Sequence, residues 1–222
     1  MRPQLAIQGT NVVLRGQFNP AMFHPAWLAA HDLIRDQEAD AAEIKIIHPE
    51  AAVFDVEWLQ VRVTRDRFQA ASVQEAYYEA LRDLVLGTFT ILDQTPLRVM
   101  GVNRDFHYQL GSEEAWHTVG DRLAPKQDWS GILKEPGLRS LTMQGRRPDS
   151  YSGYIGVKVQ PSNRVDLGIY IEVNDHYQLT SDSNTPAGKS DVFTILSEDW
   201  QDSMKRGVDI ATRLTGLGDL EA

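Results

Sequence analysis

Gly9–Phe18, GTNVVLRGQF, and Gly101–Leu110, GVNRDFHYQL, carry Gly, Asn and Gln at the same three positions. Further along, Ala26–Ile34, AWLAAHDLI, and Ala115–Leu123, AWHTVGDRL, share Ala, Trp and Asp. A third match, Val61-Arg62-Val63 against Val157-Lys158-Val159, falls in the same order. These pairings divide the chain into two half-repeats, 1–95 and 96–222, within one compact unit. Each reads as strand, helix, strands, helix. Residues shared by both halves are expected to do packing work, so Trp27 with Trp116 and Asp32 with Asp121 read as structural.

The periodicities around these stretches support that order. Alternation with period two marks antiparallel strands over 12–18, 43–48, 53–64, 98–110, 138–146, 154–160 and 165–173. Ser72-Val73-Gln74-Glu75 has the form of a capping box and predicts a helix from Ser72, with Tyr77, Leu81, Leu84 and Val85 on its buried face. A second long helix is expected from Ser197 to Thr215, and shorter ones over 25–35 and 113–123. The expected class is α+β: a pseudo-duplicated antiparallel sheet with helices on one face. In 53–64, Phe54, Val56 and Trp58 alternate against Val53, Leu59, Val61 and Val63. That strand reads as apolar on both sides, so the sheet would need a second cover.

Composition narrows the function classes. The 222 residues include 22 Lys plus Arg against 31 Asp plus Glu, a formal charge of -9. That balance argues against general nucleic-acid binding, which neutralises phosphates with cations. There is no Cys, hence no disulfide, thiolate zinc site or cysteine nucleophile. The N-terminal MRPQLAIQGTNVVLRGQ lacks the apolar run of a signal peptide, and no window reaches the roughly 18 apolar residues of a membrane span. A cytoplasmic, soluble chain without membrane contact is expected.

In order of elements the chain resembles the duplicated saddle of the TATA-box-binding protein fold. Through Leu59 to Phe68, Tyr77 to Leu86 and Gly101-Val102-Asn103 it is also similar in layout to a sporadically distributed group of uncharacterised bacterial proteins. That group's long amphipathic helix precedes a Gly-x-Asn or Arg-Tyr-Asn strand motif; the Arg-Tyr form is absent here. The second resemblance implies a bacterial setting, with phage defence as its context, and no activity.

Five constellations invite a chemical reading. Asp105 and His107 share a strand face, while His117 and Asp121 share a helix face, so the four are candidates for a divalent metal or acid–base catalysis. Thr185 to Ser190, TPAGKS, has the end of a phosphate-binding loop, but its first Gly would be Ser183, and 191–196 reads as extended where the motif needs a helix. The stretch 123–140 has no counterpart of similar length in the first half; Lys126, Trp129, Lys134 and Arg139 make it a candidate partner-binding loop. Asn174-Asp175-His176-Tyr177 offers an acid–base pair at a strand end. Arg62, Arg65 and Arg67, with Arg146 and Arg147, offer a basic surface, interrupted by Asp66 and Asp149.

Weighed together, these features point to a non-enzymatic protein-binding or assembly subunit without a cofactor. It would pair with itself or a partner protein through Phe54 and Trp58 on the sheet, with Lys126, Trp129 and Arg139 as a secondary contact. The alternatives are a metal-dependent hydrolase using Asp105, His107 and His117, and a nucleic-acid-binding saddle using Arg62, Arg65 and Arg67.

Overall fold

The structure, a computed structural model, describes residues 3–179 and 189–216. Nine antiparallel strands form one sheet: β1 (Gln4–Gly16), β2 (Glu43–His48), β3 (Ala51–Val56), β4 (Leu59–Thr64), β5 (Arg67–Ser72), β6 (Leu97–Gln109), β7 (Leu141–Arg146), β8 (Gly153–Pro161) and β9 (Gly168–Gln178), in the spatial order β2-β3-β4-β5-β1-β6-β9-β8-β7. The sheet runs unbroken through the central β1–β6 pair. Outward from that pair the order is β1-β5-β4-β3 on one side and β6-β9-β8-β7 on the other, with β2 as one extra strand.

The helices are α1 (Pro25–Ala30), α2 (Asp36–Asp40), α3 (Tyr78–Ile91), α4 (Glu113–Leu123), α5 (Lys189–Thr194) and α6 (Trp200–Thr215). Their apolar faces pack on one side of the sheet. Over the first half, Leu81, Val85 and Phe89 of α3 meet Val12, Leu14, Phe68 and Val61. Over the second, Val119 of α4 and Ala211 of α6 meet Phe106, Ile171 and Val173. Trp27 packs on the first core and Trp116 on the second, where its indole N–H donates to the Gly168 carbonyl (3.0 Å). Their companion aspartates differ. Asp32 follows α1 with φ 57°, whereas Asp121 lies within α4 and pairs with Lys126 at 2.9 Å.

Four expectations need correction. Residues 53–64 are two strands: Val56 pairs with Leu59 across a turn at Glu57-Trp58. That reversal puts Phe54 and Val56 on the same face as Leu59, Val61 and Val63, so the strand apolar on both sides does not exist. Phe54 is 0% and Trp58 6% exposed. Trp58 stacks on Tyr77 (5.1 Å, 8°) and donates its N–H to Glu38 (3.0 Å), so both residues belong to the chain's own core and offer no partner surface. Ser72 ends β5 rather than capping a helix; its hydroxyl accepts from the Gln74 N–H (3.2 Å), and a 3-10 turn over Glu75–Tyr77 leads into α3. Residues 191–196 are helical, since α5 continues through a π turn (Ile195–Asp199) into α6. Lys189 and Ser190 therefore do begin a helix, while 180–188, including Ser183, lies outside the described residues.

Candidate binding groove on the uncovered sheet face

The other sheet face is built by the alternate residues of the same strands, and it is polar. Across its centre the register places Ala71, Asn11, Asn103, Asn174 and Gly156 in one row on β5, β1, β6, β9 and β8. On one side of that row come Gln69, Val13, Gly101, His176 and Tyr154, and beyond them Arg67, Arg15 and Val99. On the other side come Gly9, Asp105, Glu172 and Lys158. These rows enclose a groove with a floor of small and amide side chains, lined from Arg15 and Arg67 to Asp105 and Glu172.

Within the amide row the Asn103 Nδ2 donates to Asn11 Oδ1 (2.8 Å). The Oδ1 atoms of Asn103 and Asn174 are buried and accept no hydrogen bond, which is a costly state for a polar atom away from water. At one end, Asp105 stands directly across from Glu172, a like-charge cross-strand pair. Burial, and then the Glu172 charge, push the Asp105 carboxyl above its usual range. The Tyr170 hydroxyl donates to Glu172 (2.9 Å), and burial with that neighbouring charge raises the tyrosine. At the other end Arg15 stands directly across from Arg67. Arg15 reaches Asp66 (2.6 Å), but the Arg67 Nε is buried without a partner, and burial followed by the Arg15 charge lowers its affinity for a proton. A wall is formed by His176 stacked on Tyr154 (4.2 Å, 14°); burial, then Arg147, lowers the imidazole's pKa.

The proposed metal cluster does not assemble. Asp105 lines the groove and His107 lies two residues on along the same face, against Tyr170, with Nδ1 at 2.8 Å from the Ser162 hydroxyl. His117 is on α4, across the sheet, beside Glu113 at 3.6 Å. Among the described residues no three metal-capable side chains come together. Strand alternation likewise separates Asp175 from His176: Asp175 and Tyr177 face the helices, Asn174 and His176 the groove. Asp175, 1% exposed, joins Arg147, Arg206 and the Ser203 hydroxyl in a closed ion-pair network with Asp149. Arg147 is thus buried in that network and Arg65 pairs with Glu50, while Arg62, Arg67 and Arg146 stand on the open face, Arg146 in the row of Tyr154 and His176.

The 124–140 loop does project. Trp129 is 47%, Ile132 73% and Leu133 54% exposed, and Arg139 is exposed beside them in sequence. Lys126 is tied back to Asp121. Under the loop, Trp116, Val119, Leu138, Val159 and Ile169 line an apolar cavity of about 200 Å³.

Asn11 and Asn103 were visible as a repeated letter, but their facing across β1 and β6 was not. Asn174, Glu172, Tyr170 and Arg15 reach the groove through register alone. Among the described residues no helix is long and apolar enough to cross a membrane. No protein-family model and no curated protein matches this chain.

Proposed function

We propose that this protein is a non-enzymatic binding subunit that holds a segment of a partner protein on the uncovered face of its sheet. The observation that carries this reading is the groove across β5, β1, β6 and β9, which runs from two arginines to two carboxylates over a floor of small and amide side chains. The groove supplies hydrogen-bond acceptors and charges of both signs. The one hydroxyl–imidazole pair on this face named above, Ser162 with His107, lies outside the groove lining, beyond Tyr170.

The test is to pan a random peptide library against the purified chain and measure recovered peptides on two groove variants. Gln69→Trp fills the half-buried rim and Asn103→Leu removes an amide from the floor. Binding that falls about tenfold on both variants, a loss of the order of one buried polar contact, supports the reading. Binders indifferent to both changes, with folding confirmed by circular dichroism, overturn it.

A second reading, self-association, is favoured by the edge strand β2. Its Ile44 and Ile46 are 46% and 44% exposed beside an unpaired backbone edge. Light scattering over a dilution series, with Ile46→Lys as the control, decides it: a mass that stays monomeric at all concentrations removes this reading.

A further inference from the structure

We infer, resting on the peptide-binding reading above, that the groove's occupant is an extended segment of about seven residues with a basic residue at one end and a carboxylate at the other.

The argument starts from two features that weaken the free fold. Arg15 faces Arg67 across β1 and β5, and Asp105 faces Glu172 across β6 and β9. Like charges directly opposite each other destabilise a sheet. The groove carries one such pair of each sign, at its opposite ends. Asp66 answers part of the charge at Arg15 and Lys158 faces Glu172, and a ligand with one charge of each sign adds to that relief at both ends at once. Arg15 and Val99 share a row, and Asp105 lies six residues further along β6. At about 3.3 Å per residue the two ends are roughly 20 Å apart, the reach of an extended peptide of six or seven residues. Between them the floor is Val13, Gly101, Asn11 and Asn103, small enough for a backbone to lie close. The amide side chains of Asn11, Asn103 and Asn174 line that floor as the polar groups a peptide backbone would lie against.

The same features disfavour two other occupants. A nucleic-acid strand brings phosphate to both ends, and Asp105 with Glu172 repels it at one. A second copy of the chain would match the charges by a twofold turn, but it would set one recessed floor against another.

The probe is an array of peptides of about seven residues with randomised centres, in four sets whose terminal positions are fixed as Lys and Glu, Lys and Lys, Glu and Glu, or Ser and Ser. A single-stranded oligodeoxynucleotide is titrated alongside. The full chain is expected to capture the Lys-and-Glu set about fivefold to tenfold better than any other, the effect of two partly exposed ion pairs. The double variant Asp105→Lys with Glu172→Lys is expected to move the preference to the Glu-and-Glu set. Asp105→Asn with Glu172→Gln, the milder control should the first not fold, is expected to erase the discrimination between those two sets.

Equal capture of all four sets, lost on Gln69→Trp, would overturn the charge assignment and leave peptide binding standing. Capture of none sinks both. Tighter binding of the oligonucleotide, or a dimer broken by the same charge variants, would replace the peptide with that occupant.

Discussion

Asp105 lies over Gly9, its cross-strand partner, so closely that a Cβ on residue 9 would stand 2.9 Å from the Asp105 Oδ1. The missing side chain on β1 is what lets this carboxylate lie flat on the sheet at the acidic end of the groove. Gly9→Ala should leave the thermal midpoint nearly unchanged, because the atom in the way is the tip of a movable side chain. It should nevertheless shift the Asp105 carboxyl carbon and its titration in an NMR pH series. An unaltered titration curve would mean that Gly9 does not set the position of Asp105.

Burial, and then Glu172, raise the Asp105 carboxyl in the folded state. A raised folded pKa means the fold favours the protonated acid, so this residue's contribution is fully present below its unfolded value and is lost as pH rises through the folded one. Asp105→Asn should therefore stabilise the protein at pH 7 by up to about 1 kcal/mol, the scale of a cross-strand like-charge pair. The gain should vanish at about pH 3, below the usual range for Asp. Urea denaturation of both proteins at the two pH values measures it, and an equal gain at both would exclude the charge as its cause.

The Arg147–Asp175–Arg206–Asp149 network answers its charges internally, unlike the groove. Asp175→Ala removes the carboxylate shared by both arginines and by Ser203, leaving Arg147 buried, its side chain only 1% exposed. The expected cost is about 3–5 kcal/mol in urea unfolding. A loss under about 1 kcal/mol, the range of exposed pairs, would show that solvent reaches the network.

Two aromatic substitutions separate core from surface. Phe54→Ala should cost about 3–5 kcal/mol, because the ring is fully buried and leaves a cavity. Trp129→Ala should change stability by no more than about 0.5 kcal/mol, since the ring stands half exposed on the 124–140 loop. Thermal unfolding of both variants gives the comparison, and a large loss at Trp129 would place it in the core instead.

Local signals made some elements legible and left others hidden. Glu43–His48 and Glu113–Leu123 stand where periodicity puts them, the helix capped by a Ser112 hydroxyl that accepts from the Ala115 N–H (3.1 Å). β5 was hidden because RFQAAS has small residues where a strand usually has branched ones, and because Ser72 followed by Glu75 is also a good helix opening. The reversal between β3 and β4 has no Gly, Asn or Pro in its Glu57-Trp58 turn, so two strands read as one. The candidate site was less legible than the fold. Asp105 was singled out, but for a metal partnership with His117 that the sheet forbids. The groove depends on cross-strand register, and no spacing along the chain tells which residue of β9 will stand beside Asn103.

The β1–β6 joint has a consequence during synthesis. Strands β1 to β5 can pair as soon as residue 72 has left the ribosome, yet β6 begins only at Leu97, so one whole edge of the 13-residue β1 waits for a later part of the chain. Non-local pairing of this kind is slow, and an exposed strand edge attracts any strand of matching pattern. The β6 of a neighbouring nascent chain carries that pattern as well as the chain's own does. Crowded polysomes should therefore yield interlocked dimers with halves exchanged at this seam, each rebuilding the complete nine-stranded sheet from two molecules.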